Sequence, residues 1–244
     1  MKPVLAIFKR EFAAYFATPL AYVFIVIFLL AMGAFTFYVG HFYDNGVANL
    51  SVFFGYHPWL YLFLVPAVGM RLWAEERRLG TIELLLTLPI PIWASVLGKF
   101  LAAWAFTGVA LLLTFPIWIT VNYLGQPDNG AIVASYVGSF LMAGGYLAIS
   151  AAISATTNNQ VIAFVVSVVV CFLFTISGAP LVLDFFQAWA PTVLVNTISG
   201  FSFLTHFQAI SSGVIDLRDL IYFGSLIALF LSVNVVLVDL KKTD

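Results

Sequence analysis

Charge is nearly missing from this chain: Asp, Glu, Lys and Arg make up only 9 % of it. A soluble domain carries about a quarter, because an exterior that faces water needs polar cover. Here 63 % of the residues are hydrophobic, so lipid has to replace water around most of the surface. The net charge of −1 offers no basic field to nucleic acid. Cysteine occurs once, as Cys171 in an apolar run, which rules out an internal disulfide. It reads as a buried structural thiol, and no Cys/His cluster has metal-ligand spacing. The phosphate-binding pattern G-x-x-x-x-G-K-[ST] is also lacking, since Gly98-Lys99 is followed by Phe100 and has no upstream glycine at the right place. No soluble stretch approaches the roughly 100 residues of a nucleotide-binding domain. The chain is therefore not expected to hydrolyse ATP or hold a cofactor by itself. No Ser/His/Asp set, no H-E-x-x-H and no intramembrane carboxylate chain of a proton pump is present.

What the chain does have is long apolar runs. A helix crosses the hydrocarbon core with about 20 apolar residues, and six stretches qualify: 20–40, 58–73, 94–121, 135–155, 161–183 and 220–238. The second is short, and Phe53 and Phe54 are available to extend it. Lipid leaves backbone groups no outside partner, so these runs are expected to be helices. Pro66 and Pro116 lie inside spans and are expected to kink them. Gly144, Ala148 and Ala152 recur every four residues, a spacing that lets helices pack closely in a membrane.

The basic residues set the orientation. With both termini inside, the inner segments hold Lys2, Lys9, Arg10, Arg71, Arg77, Arg78, Lys99, Lys241 and Lys242, nine of the ten Lys and Arg. Only Arg218 falls outside. Residues 4–17 place Leu5, Phe8, Phe12 and Tyr15 on one stripe, which predicts an interfacial helix entering the first span at Thr18-Pro19.

Residues 184–219 are too apolar for a solvated loop and too polar for a comfortable span. A seventh crossing would also put Lys241 and Lys242 outside. They read as a broken, re-entrant hairpin at the outer face, with Pro191 and Gly200 as break points. His206, in its middle, and Asp184, at its start, form a candidate outer-face polar site. His41 and His57 read as interfacial residues near span ends.

The inner loop 74–91 carries the sharpest pattern. Charged residues Glu75, Glu76, Arg77 and Arg78 precede Gly80-Thr81, and a short amphipathic helix, 82–88, ends at Pro89 and Pro91. Thr81 is placed to cap that helix and Glu83 to favour its first turn. A rigid rod under the membrane, flanked by charge, suits docking against another protein.

Glu75-Glu76-Arg77-Arg78-x-Gly80-Thr81-x-Glu83-Leu84-Leu85-Leu86-Thr87-Leu88-Pro89, followed by Gly98-Lys99, closely resembles the corresponding loop of ABC type 2 permeases. More narrowly, it is similar to the gliding-motility and copper-processing branch of the bacterial ABC permeases. Pro19-Leu20-Ala21-Tyr22-Val23, Thr157-Asn158-Asn159-Gln160 and the stretch from His206 through Gly213 to Asp219 extend the resemblance along nearly the whole chain. It implies an all-α permease of six transmembrane helices with a coupling helix, set in a bacterial plasma (inner) membrane. Glu75, Glu76, Arg77, Gly80, Thr81, Glu83, Leu84 and Pro89 would then meet a separate ABC ATPase, and a pair of these would bind ATP and Mg. The permease would pair with a second copy or a related permease, in contact with membrane lipid and an extracytoplasmic accessory protein. Three functions stay open: an exporter, a mechanical relay to an extracytoplasmic partner, and an autonomous channel or enzyme using His206 and Asp184.

Overall fold

The computed structural model describes residues 2–44, 46–87, 89–187 and 190–240 and is all-helical, with no strand among the described residues. In chain order the helices are α1 (Lys2–Ala17), α2 (Pro19–Ala34, continued by a π-helical turn Phe35–Val39), α3 (Ser51–Gly55), α4 (His57–Gly69), α5 (Arg71–Leu79), α6 (Thr81–Thr87) and α7 (Ile92–Leu112). They continue with α8 (Phe115–Leu124), α9 (Asn129–Ser154), α10 (Gln160–Ile176), α11 (Pro180–Gln187), α12 (Thr192–Gly200), α13 (Phe203–Ser211) and α14 (Leu217–Leu240).

Local chemistry sets the boundaries. Thr18 is extended ahead of Pro19, so α1 and α2 are separate rods. Asp128 caps α9, its Oδ1 accepting from the amides of Gly130 (2.9 Å) and Ala131 (3.1 Å), and Asn159 caps α10 in the same way. Pro116 cannot donate to the ladder, and the helix breaks at Leu113–Thr114 just before it. Pro191 immediately precedes α12, and Gly200 ends it.

Among the described residues, four helical stretches are long and apolar enough to cross a bilayer: Pro19–Val39, Ile92–Leu124, Asn129–Ser154 and Leu217–Leu240. Two bent pairs reach that length only when each is taken as one crossing: α10 with α11, bent by 70°, and α12 with α13, bent by 68°. The fifth expected span, 161–183, thus runs past a real break. Its helix stops at Ile176, because the Gly178 backbone lies against Ser202 and Pro180 cannot continue the ladder. The second expected span, 58–73, is not one straight helix either. α4 has 13 residues, about 20 Å of rise, and α5 follows it across Met70.

Ser154, fully buried at the end of α9, explains that break. Its hydroxyl donates to the Met70 carbonyl (2.7 Å) and accepts from the amides of Trp73 (3.1 Å) and Ala74 (3.0 Å). In an uninterrupted helix the Ala74 amide would bond the Met70 carbonyl directly. A side chain inserted at that point opens the ladder and bends the helix. α4 and α5 are therefore successive helices that meet at a break at Met70.

α9 forms the centre, with α4, α7, α10, α13 and α14 packed around it. Small residues make that approach possible. A Cβ at Gly144 would stand 2.8 Å from the Trp104 ring and 3.0 Å from Ile227, and one at Gly145 would stand 2.6 Å from Phe203. Ala148 and Ala152 are buried on the same helix. The outer helices show the reverse: Leu30 on α2, Leu173 on α10 and Leu229 on α14 are each well over half exposed. That arrangement suits a protein whose surroundings are as apolar as its side chains. Cys171 is buried against Tyr146. His57 is not interfacial as expected but completely buried among Phe28, Phe53, Phe54 and Tyr61, with Nδ1 at 3.2 Å from the Phe53 carbonyl.

Candidate functional site: the charged end of the bundle

α5 ends as a helix should. Arg77 and Arg78 occupy its last turn, near the negative end of its dipole. Gly80 then adopts a left-handed conformation (φ 69°), and its amide bonds back to the Arg77 carbonyl. A Cβ at Gly80 would meet nothing within 4 Å, so its dihedral and not space is what asks for glycine. α6 starts at the very next residue. Thr81 therefore does not cap it, contrary to expectation. It is already the first helical residue, and its hydroxyl donates backward to the Glu76 carbonyl (3.3 Å). Glu83 is exposed in the first turn of α6, as are Arg78 and Gly80 beside it. Leu84 lies within α6, but its side chain falls outside the described residues, as does Leu88, the expected last residue of that helix. Pro89 is exposed beyond α6, and Pro91, extended, leads directly into α7.

The acidic residues ahead of Gly80 turn inward. Arg71 grips Glu75 with two parallel bonds, Nε to Oε2 at 2.8 Å and Nη2 to Oε1 at 3.1 Å. Glu76 Oε1 lies 2.7 Å from Nζ of Lys99, which is only 3 % exposed in the second turn of α7. The same Nζ is 3.4 Å from Glu11 Oε1 on α1 and 5.5 Å from the centre of the Trp73 ring. Arg10 holds Glu11 from the other side at 2.5 Å. Burial alone would raise the Glu11 carboxyl, but Lys99 and Arg10 together outweigh it and hold that carboxyl below its ordinary range. Beside the cluster opens a crevice of about 260 Å³, bordered by α1 and α5. Arg77 has no such partner: its Nε and Nη2 are buried without an acceptor among the described residues, and burial pushes its guanidinium down.

Lys99 and Glu11 were not singled out by sequence reasoning as site residues. One signal was available, because Lys99 is the only Asp, Glu, Lys, Arg or His between Pro91 and Pro127. Such a residue needs a partner or a path to water.

At the opposite end, His206 is buried and does not meet Asp184, which lies exposed on α11. Its partner is Asp219 on α14, with Nδ1 to Oδ1 at 2.6 Å. Nε2 reaches the Gly200 carbonyl (3.0 Å), and the ring stacks on Tyr222 at 3.9 Å. The Tyr222 hydroxyl donates to the Phe201 carbonyl. These contacts all fasten the bend between α12 and α13 onto α14. No group of His, Cys, Asp or Glu among the described residues could hold a metal ion.

Against this geometry stand the comparisons. No curated protein matches the chain. A family model described as an ABC-2 family transporter protein matches residues 5–239, nearly all of the 244-residue chain. Permeases of that family pair with ABC ATPase subunits. The chain belongs to the ABC-2 family of transporter proteins, as a multi-pass membrane permease subunit of an ABC transporter.

Proposed function

We propose that this permease receives the force of a separate ABC ATPase through residues 71–91 and works as an exporter in a bacterial plasma membrane. The observation that carries the reading is the short α6, set on the left-handed Gly80 turn at the end of the charged α5, in a chain whose family match is nearly complete. The exposed groups Arg78, Gly80, Thr81 and Glu83 form the docking surface, while Glu75 and Glu76 brace it from within. The six crossings are 19–39, 58–73, 92–124, 129–154, the bent pair 160–187 and 217–240. α12 and α13 then form a hairpin that dips in from the outer face. Taking that hairpin as a crossing would carry Lys241 and Lys242 outside, against the basic-residue bias. The motif set favours the gliding-motility and copper-processing branch, and two permease copies, or this one and a relative, complete the unit. The ATPase pair binds ATP and Mg.

The test is co-purification with an ABC ATPase partner, using Glu83→Lys and Gly80→Pro in a membrane-inserted permease. Loss of ATPase association in both variants is the expected result, with the melting behaviour of the permease alone unchanged in Glu83→Lys. Full association and full ATP-dependent transport in both would remove the loop from the coupling role.

A further inference from the structure

We propose that Lys99 is the positioning residue that makes α1 and α7 follow α5, so that thrust arriving at α6 reaches two elements at once. The proposal rests on the coupling role given above to residues 71–91.

α5 has the parts of a lever. Its pivot is the Met70 joint, where the Ser154 hydroxyl stands between the Met70 carbonyl and the Ala74 amide. Its driven end is Gly80, about 15 Å further along the axis at 1.5 Å per residue. Between them, about 9 Å from the pivot, Glu76 reaches out of α5 to Lys99. A sideways push at Gly80 would therefore arrive at Glu76 at roughly 0.6 of its size, by the ratio of those lengths.

Three features make Lys99 a link rather than a surface charge. Its Nζ is buried and shared between carboxylates of two different helices, Glu76 at 2.7 Å and Glu11 at 3.4 Å. Separating either pair would strand a charge away from water. The residue before it, Gly98, lets α1 lie directly on α7: a Cβ there would stand 2.8 Å from the Ile7 side chain and 3.1 Å from the Val4 carbonyl. The other strong pair on α5, Arg71 with Glu75, lies within one helix. Lys99 is thus the charged contact, among the described residues, that joins α5 to both α1 and α7.

The experiment uses the permease–ATPase complex in lipid nanodiscs with spin labels at exposed positions. One label pair, Ala13 and Asn158, reports α1 against the end of α9; a second, Leu79 and Asn158, reports α5. Cys171 is fully buried and does not compete for label. In the native complex, ATP is expected to shift both distances. In Lys99→Met the α5 shift persists and the α1 shift is lost. The double variant Lys99→Met with Glu76→Gln, which leaves no stranded Glu76 carboxylate, gives the same uncoupling in a complex that assembles normally. An α1 shift of native size in either variant overturns the proposal. A native complex in which ATP moves neither pair overturns the coupling reading, and the proposal falls with it.

Discussion

Glu11 illustrates how little charge this end of the molecule can spare. Lys99 and Arg10 hold its carboxyl below the ordinary value of 4.5 despite partial burial. The folded state thus takes up that proton less readily than the unfolded chain. Glu11 therefore adds stability above pH 4.5, and the contribution fades as pH falls through 4.5 toward the folded value. Thermal midpoints in detergent, measured from pH 6 down to about pH 3, are expected to drop more steeply for the native chain than for Glu11→Gln. Parallel curves would show that the pair adds nothing. Gly80 makes the complementary point, since its left-handed dihedral costs an L-residue about 1–2 kcal/mol. No atom of the chain crowds the position, so within the permease a substitution there acts through the dihedral and the α5–α6 angle.

At the scale of elements, the joint between α4 and α5 is held by one hydroxyl. Ser154→Ala leaves the buried Trp73 and Ala74 amides without their acceptor, an expected loss of about 1–3 kcal/mol. Ser154→Thr keeps the hydroxyl and should lose much less, and thermal unfolding in detergent separates the two. Equal midpoints for alanine and the native serine would mean that the helix closes over the gap without cost. This joint was not legible in the sequence, because the partner of Met70 lies 84 residues away. Local chemistry was legible: Thr18-Pro19, Pro191 and Gly200 mark breaks because proline and glycine act on their own backbone. The failures follow the same line. Thr81 has a capping residue's identity, but the cap needs an extended residue, and Gly80 leaves no room for one. His206 stood out as polar in an apolar run, yet which acid it meets, Asp219 rather than Asp184, depends on how α14 returns past α13. Lys99 was counted for its sign, while its two partners on other helices came only with the fold.

At the scale of the whole molecule, glycines on α9 make room for large buried rings such as Phe203, while leucines such as Leu30 and Leu173 also face outward, so added size is punished at those glycines. Gly145 faces Phe203 so closely that a Cβ would stand 2.6 Å away, with Leu226 next at 3.5 Å. Gly145→Val is expected to cost about 1–3 kcal/mol by overpacking. Leu229, 60 % exposed near the middle of α14, lies against acyl chains in a bilayer, so Leu229→Ala should change stability little. Leu229→Lys should oppose insertion of α14 by about 2.5–3.5 kcal/mol. Membrane-insertion assays for the lysine variant, with melting curves for the other two, measure all three effects. A soluble reading of the same fold predicts the opposite order at Leu229: an exposed apolar side chain replaced by lysine would be harmless or beneficial there. Normal insertion and an unchanged midpoint for Leu229→Lys would therefore place α14 outside the bilayer, and the exposed leucines of the outer helices would need another cause.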